Sequence, residues 1–233
     1  MSNDTKSSPL VKELFTVGAH FGYSRTRRDP STAKFLFGTK NKVDIIDIEY
    51  TEVQLQKAAE FMKKLGEKGK NVIFVGSKPE AKESVRLAAE SLGLPFVTTR
   101  WVGGILTNFS EIKKRLARLE ELRAAKLSGD LQKKYTKKEQ LLIGREVAKM
   151  EDLFSGIVSL KGLPEALFIV DPKKEISAVR EAQRLGIPVV ALGNTDCDIT
   201  LVDYPILGND ASRASIDFIV KHLAEAYKAG RKD

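Results

Sequence analysis

Cysteine is nearly absent from this chain. Cys197 stands alone among 233 residues, so no intrachain disulfide can form and a reducing compartment is the default. Histidine is scarce too: His20 and His222 lie far apart, and neither has the spacing of a zinc motif. No apolar run approaches the ~20 residues that a membrane span needs. The stretch before Pro9 lacks the apolar core of a secretory signal. These absences point to a soluble cytoplasmic protein. Signatures of catalysis are missing as well. There is no Gly-x-Ser-x-Gly elbow, Cys197 has no obvious partner, and no acid/base pair stands out. The loop Gly76-Ser77-Lys78-Pro79-Glu80 follows a strand, where phosphates often sit. Yet it holds neither a Walker pattern nor a dinucleotide fingerprint, and it reads as a tight strand-to-helix turn.

What remains is an ordinary globular composition with a basic balance. Hydrophobic residues make up 42 %, and the formal net charge is +8 with a pI of about 9.4. Such a chain can bury a real core, and its charge favours a polyanionic partner through phosphate neutralisation and counterion release.

Short apolar runs alternate with helical patterns along most of the chain. Residues 9 to 17 read as a short helix ended by Gly18. Residues 34–37 and 43–48 read as the strands of a hairpin, joined by Gly38-Thr39-Lys40-Asn41-Lys42. An amphipathic helix then opens with Thr51-Glu52-Val53-Gln54 as its cap. Pro79 starts the next helix, after the strand 71–75. Gly93 and Gly186 each close a helix, and Pro95 and Pro188 force the extension that follows. Fully apolar strands recur at 166–170 and 189–192. Apolar strands separated by helices mark a parallel sheet covered on both faces. The expectation is a three-layer α/β/α doubly wound sandwich of about five parallel strands, with an N-terminal hairpin added.

An excursion interrupts this series. The body comprises residues 9–107 and 158–230, and residues 108–157 carry almost no Gly or Pro. Ile112, Leu116, Leu119 and Leu122 recur at helical spacing. Ser128-Gly129-Asp130 breaks the run, and Ile143, Val147, Met150, Phe154 and Ile157 resume it. Those are seam spacings of an antiparallel coiled-coil hairpin, to be weighed against two ordinary helices packed on the sheet. Asn108 with Glu111, and Thr136 with Glu139, read as capping boxes. The only tryptophan, Trp101, sits at the root beside Gly103 and Gly104, where it wedges the hairpin against the body more readily than it stacks on a base. The paired glycines allow a close approach or a sharp redirection of the chain.

The basic residues are the best candidates for function. From Arg25 to Lys42 the bases are Arg25, Arg27, Arg28, Lys34, Lys40 and Lys42, against the single acid Asp29. Arginine forks in a loop can clamp phosphates. The interleaved phenylalanines of this stretch, Phe21, Phe35 and Phe37, read as core. On the hairpin, Lys113, Lys114, Arg115, Arg118 and Arg123 crowd the first helix, and Lys133, Lys134, Lys137 and Lys138 surround the tip. Arg100, Asn41 and Asn108 complete the candidate RNA-contacting set. Asp196, Asp198 and Asp203 gather near a strand end and, with His20, are weak candidates for a cation site. Turns are rich in Asp for local hydrogen bonding in any case.

Several of these pieces resemble one family. They are Gly18-Ala19-His20-Phe21-Gly22, Phe37-Gly38 with Lys40-Asn41-Lys42-Val43, Val75-Gly76 with Lys78, and Arg100-Trp101-Val102-Gly103-Gly104-Ile105-Leu106-Thr107-Asn108. Thr136 to Glu139, Gly162 to Phe168, Leu185 to Pro188 and Gly208-Asn209-Asp210 continue the series in order. The chain is similar to the bacterial type of the small ribosomal subunit protein two family. The resemblance implies a flavodoxin-like domain with a coiled-coil insertion, a structural role without cofactor, and contact with small-subunit rRNA between head and body. It also implies contact with neighbouring ribosomal proteins, including the large mRNA-binding first protein. Two departures stand out: Tyr23 where many relatives have a second histidine, and Asn194-Thr195-Asp196 where relatives often read Asp-Thr-Asn. The rival readings are a nucleotide-dependent enzyme using Gly76 to Lys78 and a protein-only adaptor using the coiled coil. On the family reading, charge reversal at Arg27 and Arg28 should lower subunit occupancy without unfolding the chain.

Overall fold

A computed structural model describes residues 8–128 and 135–231. Five strands form a parallel sheet: β4 (Val72–Val75), β5 (Phe96–Val97), β6 (Ala166–Val170), β7 (Val189–Gly193) and β8 (Tyr204–Leu207). Their order is β5-β4-β6-β7-β8. The strand order reverses between β4 and β6, as in a doubly wound flavodoxin-like fold. A second sheet, of order β1-β3-β2, is antiparallel and consists of β1 (Phe21–Ser24), β2 (Leu36–Lys40) and β3 (Val43–Ile46).

The parallel strands are apolar on both faces because helices cover both. Val72, Phe74, Phe168, Val170, Val190, Leu192 and Ile206 point to one core. That core is shared with α1 (Pro9–Thr16), α2 (Ile48–Glu67), α3 (Lys82–Leu92) and α7 (Arg213–Gly230). Ile73, Val75, Leu167, Ile169, Val189 and Ala191 point to the other core, which holds Trp101 and α6 (Ile176–Leu185). The alternation is the period-two geometry of a strand read from both sides. Close packing of α2 on α7 needs glycine: a Cβ at Gly66 would lie 2.1 Å from the Tyr227 carbonyl oxygen, and one at Gly230 2.0 Å from that of Lys63.

The two helices of the inserted segment, α4 (Phe109–Leu127) and α5 (Lys137–Phe154), run side by side in opposite senses. Near the body, Ile112, Leu116, Phe154 and Ile157 merge with the second core. Farther out, Leu119, Leu122 and Val147 form a small cluster of their own, with Ile143 and Met150 packed against it. Both readings of this segment therefore describe part of it: the base packs on the sheet layer and the outer half packs on itself. Lys133 and Lys134 lie outside the described residues.

Several local expectations need correction. The N-terminal hairpin turn is not five residues but two, Asn41 and Lys42, with φ of +51° and +65°. Two left-handed residues match the right-handed twist of the strands they join. Lys34 lies in a 3-10 turn instead of a strand, and Ile48 begins α2. The cap of α2 is Asp47, whose side chain accepts from the Glu49 amide at 3.0 Å. Thr51 serves tertiary structure instead, donating to the Leu207 carbonyl at 2.7 Å. Helix α3 starts at Lys82 and not at Pro79, after a turn in which the Ala81 amide donates to the Lys78 carbonyl. Asn108 precedes α4 without making a side-chain cap, so that capping box is absent, whereas the one at Thr136 and Glu139 is formed. Gly93 and Gly186 end their helices at φ +66°, as their sequence context requires.

Candidate nucleic-acid interface

In a doubly wound sheet, ligands bind beyond the carboxyl ends of the strands, where the order reverses. Here that place is filled by the chain's own side chains. Lys78, just past β4, puts its ammonium 3.0 Å from Asp171 after β6 and 2.9 Å from Asp210 after β8. It also donates to the Tyr23 hydroxyl of β1 at 3.1 Å. Asn194 after β7 donates to the second Asp210 oxygen at 3.1 Å. Burial works against the Lys78 charge, but the Asp210 and Asp171 carboxylates outweigh it and lift its pKa above the ordinary lysine value. The tight turn at Gly76 to Lys78 thus ends in a plug, not in an open phosphate cradle. Tyr23 and Asn194 both belong to this network.

The antiparallel sheet lies over the plug and is fixed to it by Thr195. The Thr195 hydroxyl accepts from the Tyr23 amide at 3.0 Å. Its carbonyl accepts from the Asp29 amide at 2.8 Å and from the Thr32 hydroxyl at 3.1 Å. A Cβ at Gly22 would lie 2.7 Å from the Thr195 methyl carbon and 2.9 Å from the Asp44 carbonyl oxygen, so the two layers touch backbone to side chain. This mount fixes the loop that carries the arginines.

Residues far apart in sequence come together at the free margin of that sheet. Arg25 follows β1, and its amide donates to the Lys42 carbonyl at 2.9 Å. Arg25, Arg27, Lys40, Asn41 and Lys42 are all exposed there, and none of these four cations has an ion pair among the described residues. Arg27 lies over the Tyr23 ring, 5.7 Å from its centroid. Arg28 behaves differently. Its guanidinium grips the buried Asp44 carboxylate through Nε at 2.7 Å and again through Nη2, and Thr39 donates to the same carboxylate at 2.8 Å. The Arg28 hydrogen bonds, then Thr39, outweigh burial and hold the Asp44 carboxyl below the usual range. Arg28 is therefore a structural clamp, and reversing its charge would destabilise the fold.

Two of the three phenylalanines of this region are not core. Phe37 is 82 % exposed and Phe21 49 %, with Phe35 alone packed against a small cluster of Ile46, Ile199 and Leu207. Phe21 joins His20 and Phe15 in a surface stack with ring centroids 4.1 and 4.4 Å apart.

On α4 and α5, Lys113, Lys114, Arg115, Lys137 and Lys138 are exposed. Lys114 pairs with Glu111 at 2.6 Å and Lys113 lies over the Phe109 ring at 4.9 Å. Arg100 and Asn108 are exposed at the root. Trp101 is buried in the second core and acts as the wedge.

The root holds a group that sequence reasoning missed. Glu181 of α6 is buried, and it accepts from Trp101 Nε1 at 3.1 Å and from the amides of Gly104, Leu106 and Thr107 at 2.8, 3.0 and 3.2 Å. The Thr107 hydroxyl donates as well, at 3.2 Å. Gly104, at φ +96°, supplies the bend that turns these amides inward. Burial opposes the Glu181 charge, yet the hydrogen bonds from Gly104, Trp101, Thr107 and Leu106 win and set its pKa below the ordinary value. Glu181 shares a helix face with the buried Ala178 and Ala182, but that pattern alone does not distinguish a buried acid from a solvated one.

The acidic residues near the strand ends each have a partner of another kind. Asp196 pairs with Lys173 at 3.0 Å, Asp198 caps a 3-10 turn through the Thr200 amide, and Asp203 accepts from the Val189 amide at 2.9 Å. His20 sits in its aromatic stack instead. Among the described residues no three His, Cys, Asp or Glu side chains gather as a ligand set, and no helix is long and apolar enough to cross a membrane. Burial pushes the Cys197 thiol up to about 12, which leaves it inert.

This geometry, a closed sheet edge with a mounted basic margin, can be set beside known proteins. Residues 14–230 match the family model described as ribosomal protein S2. The chain is 43 % identical over 222 residues to the small ribosomal subunit protein uS2 of Corynebacterium jeikeium, covering 95 % of this chain and 80 % of that protein. It is 43 % identical to the protein of the same name from Thermus thermophilus, over 92 % of this chain and 84 % of that one. The uS2 of Rhodopirellula baltica is also 43 % identical, with 97 % and 86 % covered. The match spans the small sheet, the parallel sheet and both helices of the insertion, and on that extent the chain belongs to the ribosomal protein S2 family.

Proposed function

We propose that the chain is a structural constituent of the small ribosomal subunit that grips rRNA with the margin of its antiparallel sheet. The observation that carries this reading is the convergence of Arg25, Arg27, Lys40 and Lys42 on one exposed edge, without ion pairs among the described residues. Unneutralised cations held on a rigid mount match a phosphate backbone, and recognition would be of shape and charge because paired RNA shows side chains little sequence. Arg100 and Asn108 at the root, with Lys113, Lys137 and Lys138 on the hairpin, would extend the contact along the RNA.

The chain would work in the cytoplasm at the junction of head and body. Its exposed rings, Phe15, Phe21 and Phe37, would face neighbouring ribosomal proteins, including the large mRNA-binding first protein. No catalysis is assigned to it: the sheet edge where an enzyme of this fold would work is occupied by the Lys78 network. The test is sedimentation of lysate on a sucrose gradient at low and high salt, following this chain. It should peak with the small subunit at low salt and be partly lost at high salt. A chain that stays at the top of both gradients would refute the reading.

A further inference from the structure

Tyr23 of β1 joins the buried plug to the exposed basic margin. Its backbone amide donates to the Thr195 hydroxyl at 3.0 Å, and its own hydroxyl accepts from the Lys78 ammonium at 3.1 Å. Lys78 is held in turn by Asp171 and Asp210. The ring, partly buried, is thus fixed at both ends: by Thr195 at its backbone and by the plug at its tip. The exposed Arg27 guanidinium lies over this ring, 5.7 Å from the centroid. Among the described residues, Arg25, Lys40 and Lys42 share the margin but have no such ring beneath them.

We propose that Tyr23 is a positioning residue for rRNA binding, its ring holding the Arg27 guanidinium ready for a phosphate. A free arginine side chain loses much of its rotamer freedom when it grips an anion. A guanidinium already resting on an aromatic face has given up part of that freedom beforehand, so less is lost when the RNA arrives. Ring and phosphate do not compete for it. The planar group stacks through its face and donates from its edge, which an ammonium cannot do. The inference rests on the rRNA reading of the margin and goes beyond it by naming which cation is aimed in advance, and by what.

Binding of the full chain to small subunits stripped of it by a high-salt wash tests this, as a double-mutant cycle. Tyr23→Leu should lower the affinity about threefold, the size of one exposed cation–π contact. Tyr23→Phe loses the same bond to Lys78 but keeps the ring, and should stay near wild type. In an Arg27→Ala background, Tyr23→Leu should cost nothing further, because the group it positions is gone. Arg27→Lys keeps the charge and changes only an exposed side chain. It should weaken binding by a similar factor, and wild-type affinity there overturns the proposal even if Tyr23→Leu fails to fold. An equal loss from Tyr23→Leu in both backgrounds overturns it as well, since the ring would then act through the fold and not through Arg27. Equal losses from Tyr23→Phe and Tyr23→Leu do the same, by assigning the effect to the hydroxyl bond. No loss from Arg27→Ala alone is a different failure: it removes Arg27 from the rRNA contact, and the reading of the margin falls there together with the proposal.

Discussion

Glu181 and Asp44 are both buried carboxylates at the root of an addition to the α/β body, but their partners differ in kind. Glu181 holds the entry to the helical insertion with neutral donors only: an indole, a hydroxyl and three backbone amides. Asp44 holds the basic loop of the antiparallel sheet with a guanidinium. A carboxylate answered mainly by amides is fixed by the path of the chain itself, because three of its five donors belong to the backbone. A carboxylate answered by arginine is fixed by one side chain. The first arrangement ties down the root from Trp101 to Thr107, seven consecutive residues, and the second makes the loop depend on one ion pair backed by the Thr39 hydroxyl.

The largest way to break this comparison is Glu181→Ala. It strands the Trp101 indole and three amides in a largely buried site, and each buried unsatisfied donor costs about 1–3 kcal/mol. With partial rescue by water, the expected loss is about 4 kcal/mol in denaturant unfolding. A loss below about 1 kcal/mol would mean that the amides find other acceptors and that Glu181 is no anchor.

Arg28→Glu is expected to rank second. It removes the partner of a buried carboxylate and adds a like charge. Breaking a fully buried pair costs about 3–5 kcal/mol, and because Arg28 is itself a quarter exposed, about 2 kcal/mol is expected here. Should Arg28→Glu unfold the chain no more readily than a surface substitution, the clamp at Asp44 is not structural.

These two anchors also mark what the sequence could reveal. Gly93, Gly186 and the Thr136 box were legible because their partners lie within a turn of them. The parallel strands were legible because burial on both faces leaves a continuous apolar run. Glu181 was not, since its donors are more than seventy residues away and an acid on a helix is usually solvated. Thr51 and Asn108 mislead for the same reason: a capping type in a plausible place was committed to a tertiary bond in one case and left without a cap bond in the other. Of the interface, the identity of the cations was readable. Which cations are free could not be read, because Arg27 and Arg28 are neighbours with opposite fates set by Asp44 and Tyr23.

The comparison sharpens with pH, by a smaller amount. Both carboxylates have folded-state pKa values below those of the unfolded chain. The stability they contribute is fully present above the unfolded values, near 4, and is lost as pH falls through the lowered folded values. Thermal melts between pH 6 and about 3 should therefore show the melting temperature falling on the acid side only. Glu181→Gln should start lower and fall less steeply, since one of the two titrating anchors is gone. An unchanged slope would show that the acid loss comes from other carboxylates.

The smallest effect on stability belongs to Arg27→Glu, and it carries the functional side of the comparison. Arg27 is exposed and has no ion pair among the described residues; its side chain approaches the Tyr23 ring as a cation–π contact. Exposed substitutions of this kind stay within about 0.5 kcal/mol. Affinity for rRNA should respond instead, because removing one phosphate contact lowers the slope of log K against log salt by about 1, and reversal adds repulsion. The measurement is a salt titration of binding to small-subunit rRNA for the wild type, Arg27→Glu and Lys42→Glu. If both variants keep the wild-type slope and affinity, the margin is not the RNA contact, however well it is mounted. If both lose slope while their melts stay level, then a position adjacent to a fold-critical arginine is free for binding. The closed sheet edge beneath would then serve to keep it aimed.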